Sequence, residues 1–411
     1  MHGPYDGVRI VDLTSMLSGP WATTILADQG ADVVKLETTG SGDHVRSLGN
    51  QRAGMSSMFL NINRNKRSIT VDLKTEKGRE LFLRLARDAD VVIQNFRPGV
   101  VERLGVGYDD VTKVNPEVIY MSLSGFGEKG PWVGKPVYDP VIQAVSGLTT
   151  IQAGGDDVRP RLVRTVLPDK FSAMCAAQAI GGALFHKART GKGQHVRLSM
   201  LDAVLSFLWA SDFGAQTYPD TQADNASASS FIDLIYETSD GYMTVSTMSN
   251  KEWQAFCKAM NRADLAADER FKTPQLRDRN VNQRLEAIQA CLVARTTEEN
   301  LRLLEANGVP CAPALTRNQV VDHPQVKAME TLVETHHHAA GRLRQARNAA
   351  RFEGTPARHR YGAPLLGEHC REILAEAGYD EAAIQALRDS GVVGFENDHG
   401  RSGAPNSAAA E

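Results

Sequence analysis

The chain has 411 residues, of which 42% are hydrophobic and 23% are charged, as is usual for a globular protein of two or three domains. The formal net charge of −3 excludes the strongly basic surface typical of proteins that bind nucleic acid. No apolar run approaches the roughly 20 residues of a membrane span, and the first residues lack the features of a signal peptide. Five scattered cysteines without a CxxC pair indicate reduced thiols, so we expect a cytoplasmic protein that binds neither nucleic acid nor a membrane.

The first two hundred residues alternate between strand and helix signals. Helices are predicted at 21–29, opened by Gly19-Pro20, and at 75–88. Alternation of this kind with apolar strands predicts a parallel sheet covered on both faces, whose ligands bind beyond the carboxyl ends of the strands. The predicted strands are 8–12, 32–36, 68–73, 91–93 and 118–121.

The second half of the chain differs in character. Polar and small residues from 211 to 232 predict a linker, and a smaller α+β unit is predicted to follow it, with a strand at 242–246. Helical segments return between 365 and 387. The low-complexity tail, 396–411, is predicted to be disordered.

Asp169 is the residue with the clearest chemical potential. It precedes a run of small residues, 172–184, which predicts a buried helix with Asp169 as its N-terminal cap. A carboxylate held ionised at a helix start, beside groups small enough for a ligand to approach, can act as a nucleophile. From this stretch alone, a plain structural cap is the favoured alternative.

Three further features of the sequence bear on ligand binding, namely a glycine motif, a run of histidines and a set of basic side chains. Residues 125–130 fit the GxGxxG pattern, but Pro131 and Pro136 exclude the helix that a dinucleotide site needs, so we predict a glycine loop near an active site instead. The histidines 336–338 are interpreted as solvated, and no metal site is predicted. Basic side chains near predicted strand ends could together hold an anionic cofactor; they are Lys66, Arg67, Lys74, Arg97, Arg103 and Lys135.

Several segments, in their order and spacing, resemble the class III CoA-transferases, the group of formyl-CoA transferase, carnitine CoA-transferase and α-methylacyl-CoA racemase. The resemblance spans about residues 7–393. The segments that carry it are Val11–Thr14, Gly19–Pro20, Leu26–Glu37, Gly40–Asp43, Asn65–Ser68, Asn95–Gly99, Arg103–Gly105, Ser122–Gly127, Tyr138–Asp139, Asp169, Thr190–Gln194 and Pro364–His369.

The resemblance implies an α/β fold and a particular domain order. A Rossmann-like parallel-sheet large domain would be formed by both chain ends, from residues 1–210 and 329–395. A smaller α+β domain, 233–328, would be inserted after the linker at 211–232. Two subunits would form an interlocked homodimer.

The resemblance also implies a site. Asp169 aligns with the family nucleophile, which forms an aspartyl-CoA thioester while CoA moves from an acyl-CoA donor to a carboxylic acid. The substrates would be an acyl-CoA and a small carboxylic acid, with no permanently bound cofactor. The residues implied to hold CoA are Lys74, Asn95, Phe96, Arg97, Arg103 and Tyr138.

Departures from the family pattern bear on specificity. Leu17 and Thr38 stand where the formyl-CoA transferase subgroup has glutamine and arginine, which argues against formyl-CoA and oxalate as the substrate pair. Residues 136–139 offer no histidine at the position of the racemase pair. Two alternatives stay open, an acyl-CoA racemase or epimerase of the same fold and a non-catalytic acyl-CoA-binding protein. Dicarboxylic acids such as succinate or oxalate are suggested by family analogy alone.

Overall fold

The structure, a computed structural model, describes residues 3–220 and 234–398. Residues 221–232 of the predicted linker and the tail from 399 onward lie outside the described residues. Residues Glu396–Asp398, placed in the disordered tail by the sequence analysis, form one turn of 3₁₀ helix.

Thirteen strands and eighteen helices lie in the described ranges, and none of these helices is long and apolar enough to cross a membrane. The strands are β1 (Arg9–Asp12), β2 (Asp32–Glu37), β3 (Gln51–Arg52), β4 (Met55–Ser56), β5 (Lys66–Thr70), β6 (Val91–Gln94), β7 (Ile119–Ser124), β8 (Gln194–Ser199), β9 (Ile235–Glu237), β10 (Tyr242–Val245), β11 (Cys311–Pro313), β12 (Leu332–His337) and β13 (Gly341–Ala346). The helices are α1 (Ser18–Asp28), α2 (Ser57–Ile62), α3 (Glu76–Arg87), α4 (Val100–Leu104), α5 (Tyr108–Val114), α6 (Asp139–Val145), α7 (Leu148–Ala153), α8 (Leu167–Thr190), α9 (Met200–Trp209), α10 (Asn250–Ala259), α11 (Ala263–Ala267), α12 (Pro274–Arg279), α13 (Val281–Leu292), α14 (Thr297–Ala306), α15 (Arg317–Val320), α16 (Pro324–Ala328), α17 (Cys370–Glu376) and α18 (Glu381–Asp389).

A six-stranded sheet in the order β5-β2-β1-β6-β7-β8 dominates the fold, and every neighbouring pair in it is parallel. The predicted α/β class with a parallel sheet is therefore confirmed. β6 is buried along its whole length and β7 as far as Leu123, which explains their apolar sequences. β8 was not predicted from the sequence, and most of its residues are only partly buried or exposed.

Alternate strand residues belong to two hydrophobic cores, one on each face of the sheet. Val11 and Val92 pack with the apolar sides of α3, α17 and α18, whereas Ile10 and Ile93 pack with α1 and α8. On α8 the buried stripe consists mostly of small residues, such as Ala173 and Ala176, together with Ile180, while Met174 and Phe185 are exposed. The helix predicted over the small-residue run is present, and it is buried along one stripe.

The chain divides into two compact units. Among the described residues, one unit comprises 3–146, 163–207 and 330–398, and the other comprises 147–162, 208–220 and 234–329. The second unit has a three-stranded antiparallel sheet, β11-β10-β9, and a core around Trp253, Phe256 and Phe271. It includes 147–162, a segment that the predicted boundaries assigned to the large domain.

Two fully buried lysines, Lys66 and Lys35, lie on the neighbouring strands β5 and β2 of the first unit. Lys66 on β5 pairs with Asp12 at 3.1 Å and donates to the Pro20 carbonyl at 2.7 Å. Its neighbour Arg67 is bound by Asp32, Glu372 and Glu376. Both cations are paired with carboxylates of the same chain, so the prediction that they help to hold an anionic cofactor was wrong.

Lys35 on β2 fixes the loop that follows β1. Its ammonium pairs with Asp43 at 3.0 Å and donates to the Thr14 carbonyl at 2.8 Å. Asp43 in turn accepts from the Met16 amide at 3.0 Å, where the backbone is left-handed with φ +67. Gly19 closes the loop, since a Cβ there would lie 2.3 Å from the Thr14 side chain. The loop 13–19 is thus held by a buried charge pair.

The histidine run 336–338 is not a solvated tract. His337 is buried, and its Nε2 donates to the Ala363 carbonyl at 2.8 Å while its Nδ1 accepts from the Ala339 and Ala340 amides. The interpretation of the run as surface was wrong for this residue, because β12 alternates sides and turns it inward. Within 3–220 and 234–398 no group of three His, Cys, Asp or Glu could hold a metal ion.

Replacing Lys35 by methionine should strand the Asp43 carboxylate in the interior without its counter-charge. We expect Lys35→Met to lower the free energy of unfolding by about 3–5 kcal/mol, measured by urea denaturation. The matched control is Lys113→Met, which removes the exposed pair with Asp110 and should change the unfolding free energy by less than about 1 kcal/mol. Equal effects of the two changes would contradict the importance assigned to the buried pair.

Candidate active site

A cavity of about 410 Å³ opens at the carboxyl ends of β1, β6 and β7 in the first unit. Its position fits the general rule for parallel α/β sheets, and its volume lies in the range of ligand sites. Its lining includes Ser15, Leu17, Ser18, His44, Leu48, Met58, Asn95, Phe96, Arg97, Gly125, Lys135, Tyr138, Asp139 and Asp169.

Asp169 lines this cavity from the first turn of α8. The helix begins at Leu167, Pro168 occupies an early position, and Val166 caps the helix without a side-chain hydrogen bond. Asp169 is therefore the third helical residue, and the prediction that it is the N-terminal cap was wrong. Its carboxylate still benefits from the helix dipole, and it is free of the capping bond that would tie its oxygens to the backbone.

Asp139 holds the backbone of Asp169. Its Oδ2 accepts from the Asp169 amide at 3.2 Å, and its Oδ1 accepts from Gln143 Nε2 at 2.6 Å. Gln143 lies one turn later on α6 and also accepts from the Val163 amide at 2.9 Å. In the sequence, Asp139 was noted only as part of a segment that carries the family resemblance. The spacing of four residues between Asp139 and Gln143 at a helix start could have predicted their contact.

Three influences set the acidity of Asp169. Burial raises the pKa of its carboxyl to about 6, the Ser18 hydroxyl opposes this rise by hydrogen bonding to the carboxylate, and the nearby Asp139 charge adds to it. A pKa of about 6 leaves the carboxylate ionised at neutral pH, as a nucleophile requires. Ser18, the buried first residue of α1, was not identified from the sequence.

Four of the six residues implied to hold CoA line the cavity with Asp169, namely Asn95, Phe96, Arg97 and Tyr138. The Asn95 amide exchanges two hydrogen bonds with the Ser15 backbone, at 2.9 Å and 2.8 Å. This clamp joins the loop after β6 to the loop after β1. Arg97 and Tyr138 are exposed, and Tyr138 retains 69% of its surface.

The remaining two residues, Lys74 and Arg103, do not line the cavity. Both side chains are exposed, Lys74 in the turn before α3 and Arg103 on α4. The Arg103 guanidinium lies against Gly99, where an added Cβ would be 3.3 Å from Nη1. Their roles toward CoA stay predictions.

The glycine loop after β7 also lies in the cavity wall. Gly125 packs against Val137 so tightly that a Cβ would meet the valine side chain at 2.1 Å. The Gly127 amide donates to Ser124 Oγ at 3.1 Å, so it is already satisfied and is a poor donor for an oxyanion. Lys135 lies 4.0 Å above the Trp132 ring in the same loop region.

Of the two departures noted in the sequence, Leu17 lines the cavity and Thr38 does not. Thr38 is exposed and donates toward the Gly42 carbonyl at 3.4 Å. His44, which the sequence analysis did not single out, brings an imidazole into the wall. No sequence pattern marked it, because it follows Asp43 in a short 3₁₀ turn with no periodicity.

Residues 5–370 match the sequence model of CoA-transferase family III. The match covers most of the chain, so the chain belongs to this family. It is a CoA-transferase of acyl-CoA metabolism, in agreement with the resemblance drawn from the sequence segments.

Curated relatives match nearly end to end. The mouse succinyl-CoA:glutarate CoA-transferase is 34% identical, covering 95% of this chain and 90% of the relative. The succinyl-CoA:mesaconate CoA-transferase of Haloarcula marismortui is 35% identical over 94% of this chain and 100% of the relative. The acetyl-CoA:oxalate CoA-transferase of Acetobacter aceti is 33% identical over 92% of this chain and 97% of the relative.

Solved structures agree in fold. A crystal structure of Rv3272 from M. tuberculosis has a TM-score of 0.79 at 33% identity, covering 90% of this chain and 98% of that one. A CAIB/BAIF family protein from Brucella suis also has a TM-score of 0.79, at 31% identity, with 92% and 100% covered.

Removing the Ser18 hydroxyl should make Asp169 harder to ionise. Because the hydrogen bond favours the carboxylate, we expect Ser18→Ala to raise the pKa of Asp169, so that activity is lost at a higher pH as the solution is acidified. We expect the acid limb of the kcat/KM profile to follow the pKa of Asp169, which is about 6 in the unmodified protein, and to move up by roughly half to one pH unit in Ser18→Ala. Ser57→Ala, at an exposed serine outside the cavity, should leave the limb in place. An unchanged limb in Ser18→Ala would contradict the assignment.

Proposed function

We propose that this protein moves CoA from an acyl-CoA donor to a carboxylic acid through an aspartyl-CoA thioester on Asp169. The observation that carries the proposal is the position of one carboxylate, in the first turn of α8 and in the wall of a ligand-sized cavity, with burial raising its pKa only to about 6. Such a group is both ionised and reachable at neutral pH.

The first half of the reaction loads the enzyme. An Asp169 oxygen attacks the thioester carbonyl of the donor, and the C–S bond breaks to release CoA thiolate and leave a mixed anhydride. The thiolate then attacks the Asp169 carbonyl carbon of that anhydride. The donor acid leaves as its carboxylate, and Asp169 is left as the CoA thioester.

The second half reverses these steps with a different acid. The acceptor carboxylate attacks the Asp169 thioester carbonyl, which releases CoA thiolate and forms a second anhydride. Thiolate attack on the acceptor carbonyl gives the new acyl-CoA and regenerates the Asp169 carboxylate. No proton is gained or lost overall, and the energy of the thioester is kept in each intermediate, so the steps need no external activation.

The surroundings of Asp169 support a binding role for the same cavity. Asn95 and Phe96 immediately follow β6, and Arg97 adds an exposed guanidinium that can pair with a CoA phosphate. Tyr138, with most of its surface exposed, offers an aromatic face at the cavity. Lys74 and Arg103 complete the proposed set as exposed cations outside the cavity, available to the nucleotide end of CoA.

Two further features of the proposal concern assembly and substrate. Exposed Met174 and Phe185 on α8 support a homodimer, since large apolar side chains on a helix surface favour coverage by a partner. The names of the relatives support dicarboxylic acids as substrates, because succinate, glutarate, mesaconate or oxalate appears in each of them. We propose a cytoplasmic, interlocked homodimer that acts on such acids.

Replacing the nucleophile tests the mechanism. We expect Asp169→Asn to lower CoA exchange at least about 10³-fold, because the amide cannot form the anhydride, while CoA itself still binds. In the unmodified protein, incubation with succinyl-CoA and then hydroxylamine should leave a hydroxamate on the peptide that contains Asp169, detected by mass spectrometry.

The matched control is Asp202→Asn, which changes an exposed aspartate at the start of α9, outside the cavity. It should keep normal exchange and normal trapping at Asp169. Near-normal turnover in Asp169→Asn, or trapping at any other carboxylate, would show that the mechanism is wrong.

An acyl-CoA racemase or epimerase is the second candidate, and one observation favours it. His44 places an imidazole in the same cavity as Asp169, which is the pairing of groups that proton transfer at an α-carbon needs. Incubation of the enzyme with a 2-methylacyl-CoA in heavy water, without an acceptor acid, separates the two activities. Deuterium at the α-carbon would support the isomerase, whereas exchange of CoA with added acid and no deuterium supports the transferase.

A further inference from the structure

One part of the cavity wall is almost entirely apolar. The segment 44–58 contributes Leu48 and Met58, and Leu17 adds a third apolar side chain from the loop after β1. Within the described lining of this segment, His44 is the one ionisable group. A single polar group in an apolar wall of a ligand site fixes orientation and specificity more than it adds affinity.

His44 is held in place by its sequence neighbours. Asp43 is buried against Lys35 and caps the 3₁₀ turn by accepting from the Val45 amide at 3.1 Å. Val45 has no exposed surface, and the Arg46 guanidinium pairs with Glu37 at 2.7 Å while stacking 3.7 Å above the Phe59 ring. The flanking residues therefore face inward and are fixed, so the backbone of His44 has little freedom.

The His44 side chain itself is exposed, and its imidazole makes no hydrogen bond to another residue in the described ranges. Imidazole donates hydrogen bonds in either protonation state, and it carries a positive charge when protonated. Its donors are therefore available to an anion in the cavity, at a site whose backbone is already ordered.

The two cations of the described cavity lining, Arg97 and Lys135, are arranged differently from His44. Arg97 is exposed and belongs to the segment given to CoA in the proposed function. Lys135 lies over the Trp132 ring in a loop in which residues 131–136 are all exposed. Neither cation is framed by buried neighbours as His44 is, which favours His44 for recognition of a small, defined anion.

We propose that His44 binds the distal carboxylate of a dicarboxylic acyl group while Asp169 reacts with its other end. This rests on the proposed function, since it takes the acyl chain of a CoA thioester to lie along the wall formed by Leu17, Leu48 and Met58. The methylenes of a succinyl group contact these side chains, and the free carboxylate accepts from the imidazole. His44 is then a specificity-determining residue of the transferase.

Isotope exchange between an acid and its own thioester tests this without knowledge of the physiological partner. Succinyl-CoA is incubated with radiolabelled succinate, and butyryl-CoA with radiolabelled butyrate, which has the same chain length and a methyl group in place of the distal carboxylate. We expect His44→Asn to lower kcat/KM for succinate exchange roughly 10- to 100-fold and that for butyrate by less than about threefold. His44→Arg, which keeps N–H donors at this position, should retain most of the preference for succinate.

His186→Asn provides the matched control, because this exposed histidine on α8 lies outside the cavity, and it should change neither rate. Thermal unfolding confirms that each variant is folded. The assignment of His44 alone would be overturned if His44→Asn left the ratio of kcat/KM for succinate to that for butyrate unchanged. It would also be overturned if the unmodified protein exchanged butyrate in preference to succinate. Absence of exchange with every thioester–acid pair would overturn the proposed function as well, so the two failures are distinguishable.

Discussion

The buried pair of Lys35 and Asp43 is the constraint on which the site depends. Taking both charges out of water is costly, and such pairs often add little net stability over an apolar substitute. Their value here is geometric, since the carboxylate accepts from Met16 and Val45 and the ammonium donates to Thr14. One ion pair therefore fixes the loop after β1 and the turn after β2 relative to each other.

The same logic extends along the edge of the sheet. Lys66 on β5 reaches Asp12 at the end of β1, and the Lys66 and Lys35 charges overcome the effect of burial and hold the pKa of Asp12 at about 2. Burial is also why the pKa of Lys66 falls to about 8, so this lysine is not a freely available cation. The charged groups on these strands pair with one another in the interior, and the cavity is lined by other residues.

Asp169 shows the opposite treatment of a carboxylate. Asp12 has two lysines nearby, whereas Asp169 has a second carboxylate, Asp139, and a single hydroxyl donor from Ser18. Its charge is therefore less stabilised, and the pKa of Asp169 rises while that of Asp12 falls. A nucleophile must not be held too firmly by its surroundings, because bonds to the carboxylate are lost when it attacks. This contrast between two carboxylates of the first unit is what the proposed roles require, a structural one for Asp12 and a reactive one for Asp169.

Local patterns predicted the sheet well and side-chain partners poorly. The strands 8–12, 32–36, 91–93 and 118–121 were found because central parallel strands are short apolar runs, and β1, β2, β6 and β7 occupy them with small shifts. The roles of Lys66 and Arg67 were predicted wrongly because the sequence around a charged strand residue does not show which distant carboxylate will pair with it. Asp169 was predicted to be the helix cap, because aspartate is a preferred cap residue. In the structure the helix begins two residues before Asp169, with Pro168 in its first turn and Val166 as the cap.

The residues around Asp169 and the residues of the apolar wall come from different parts of the fold. Asp169, Asp139 and Ser18 come from helix starts at the carboxyl edge of the sheet, where backbone dipoles and buried partners fix them. The apolar wall comes from Leu17 and from the segment 44–58, which contains a 3₁₀ turn, two two-residue strands and the start of α2. Asp43 and Arg46 tie this segment to β2. In the proposed mechanism, side chains of that wall can change without moving Asp169. Replacing His44 would then alter the acid that fits while the carboxylate keeps its position, which agrees with the different acids named for the relatives, namely glutarate, mesaconate and oxalate.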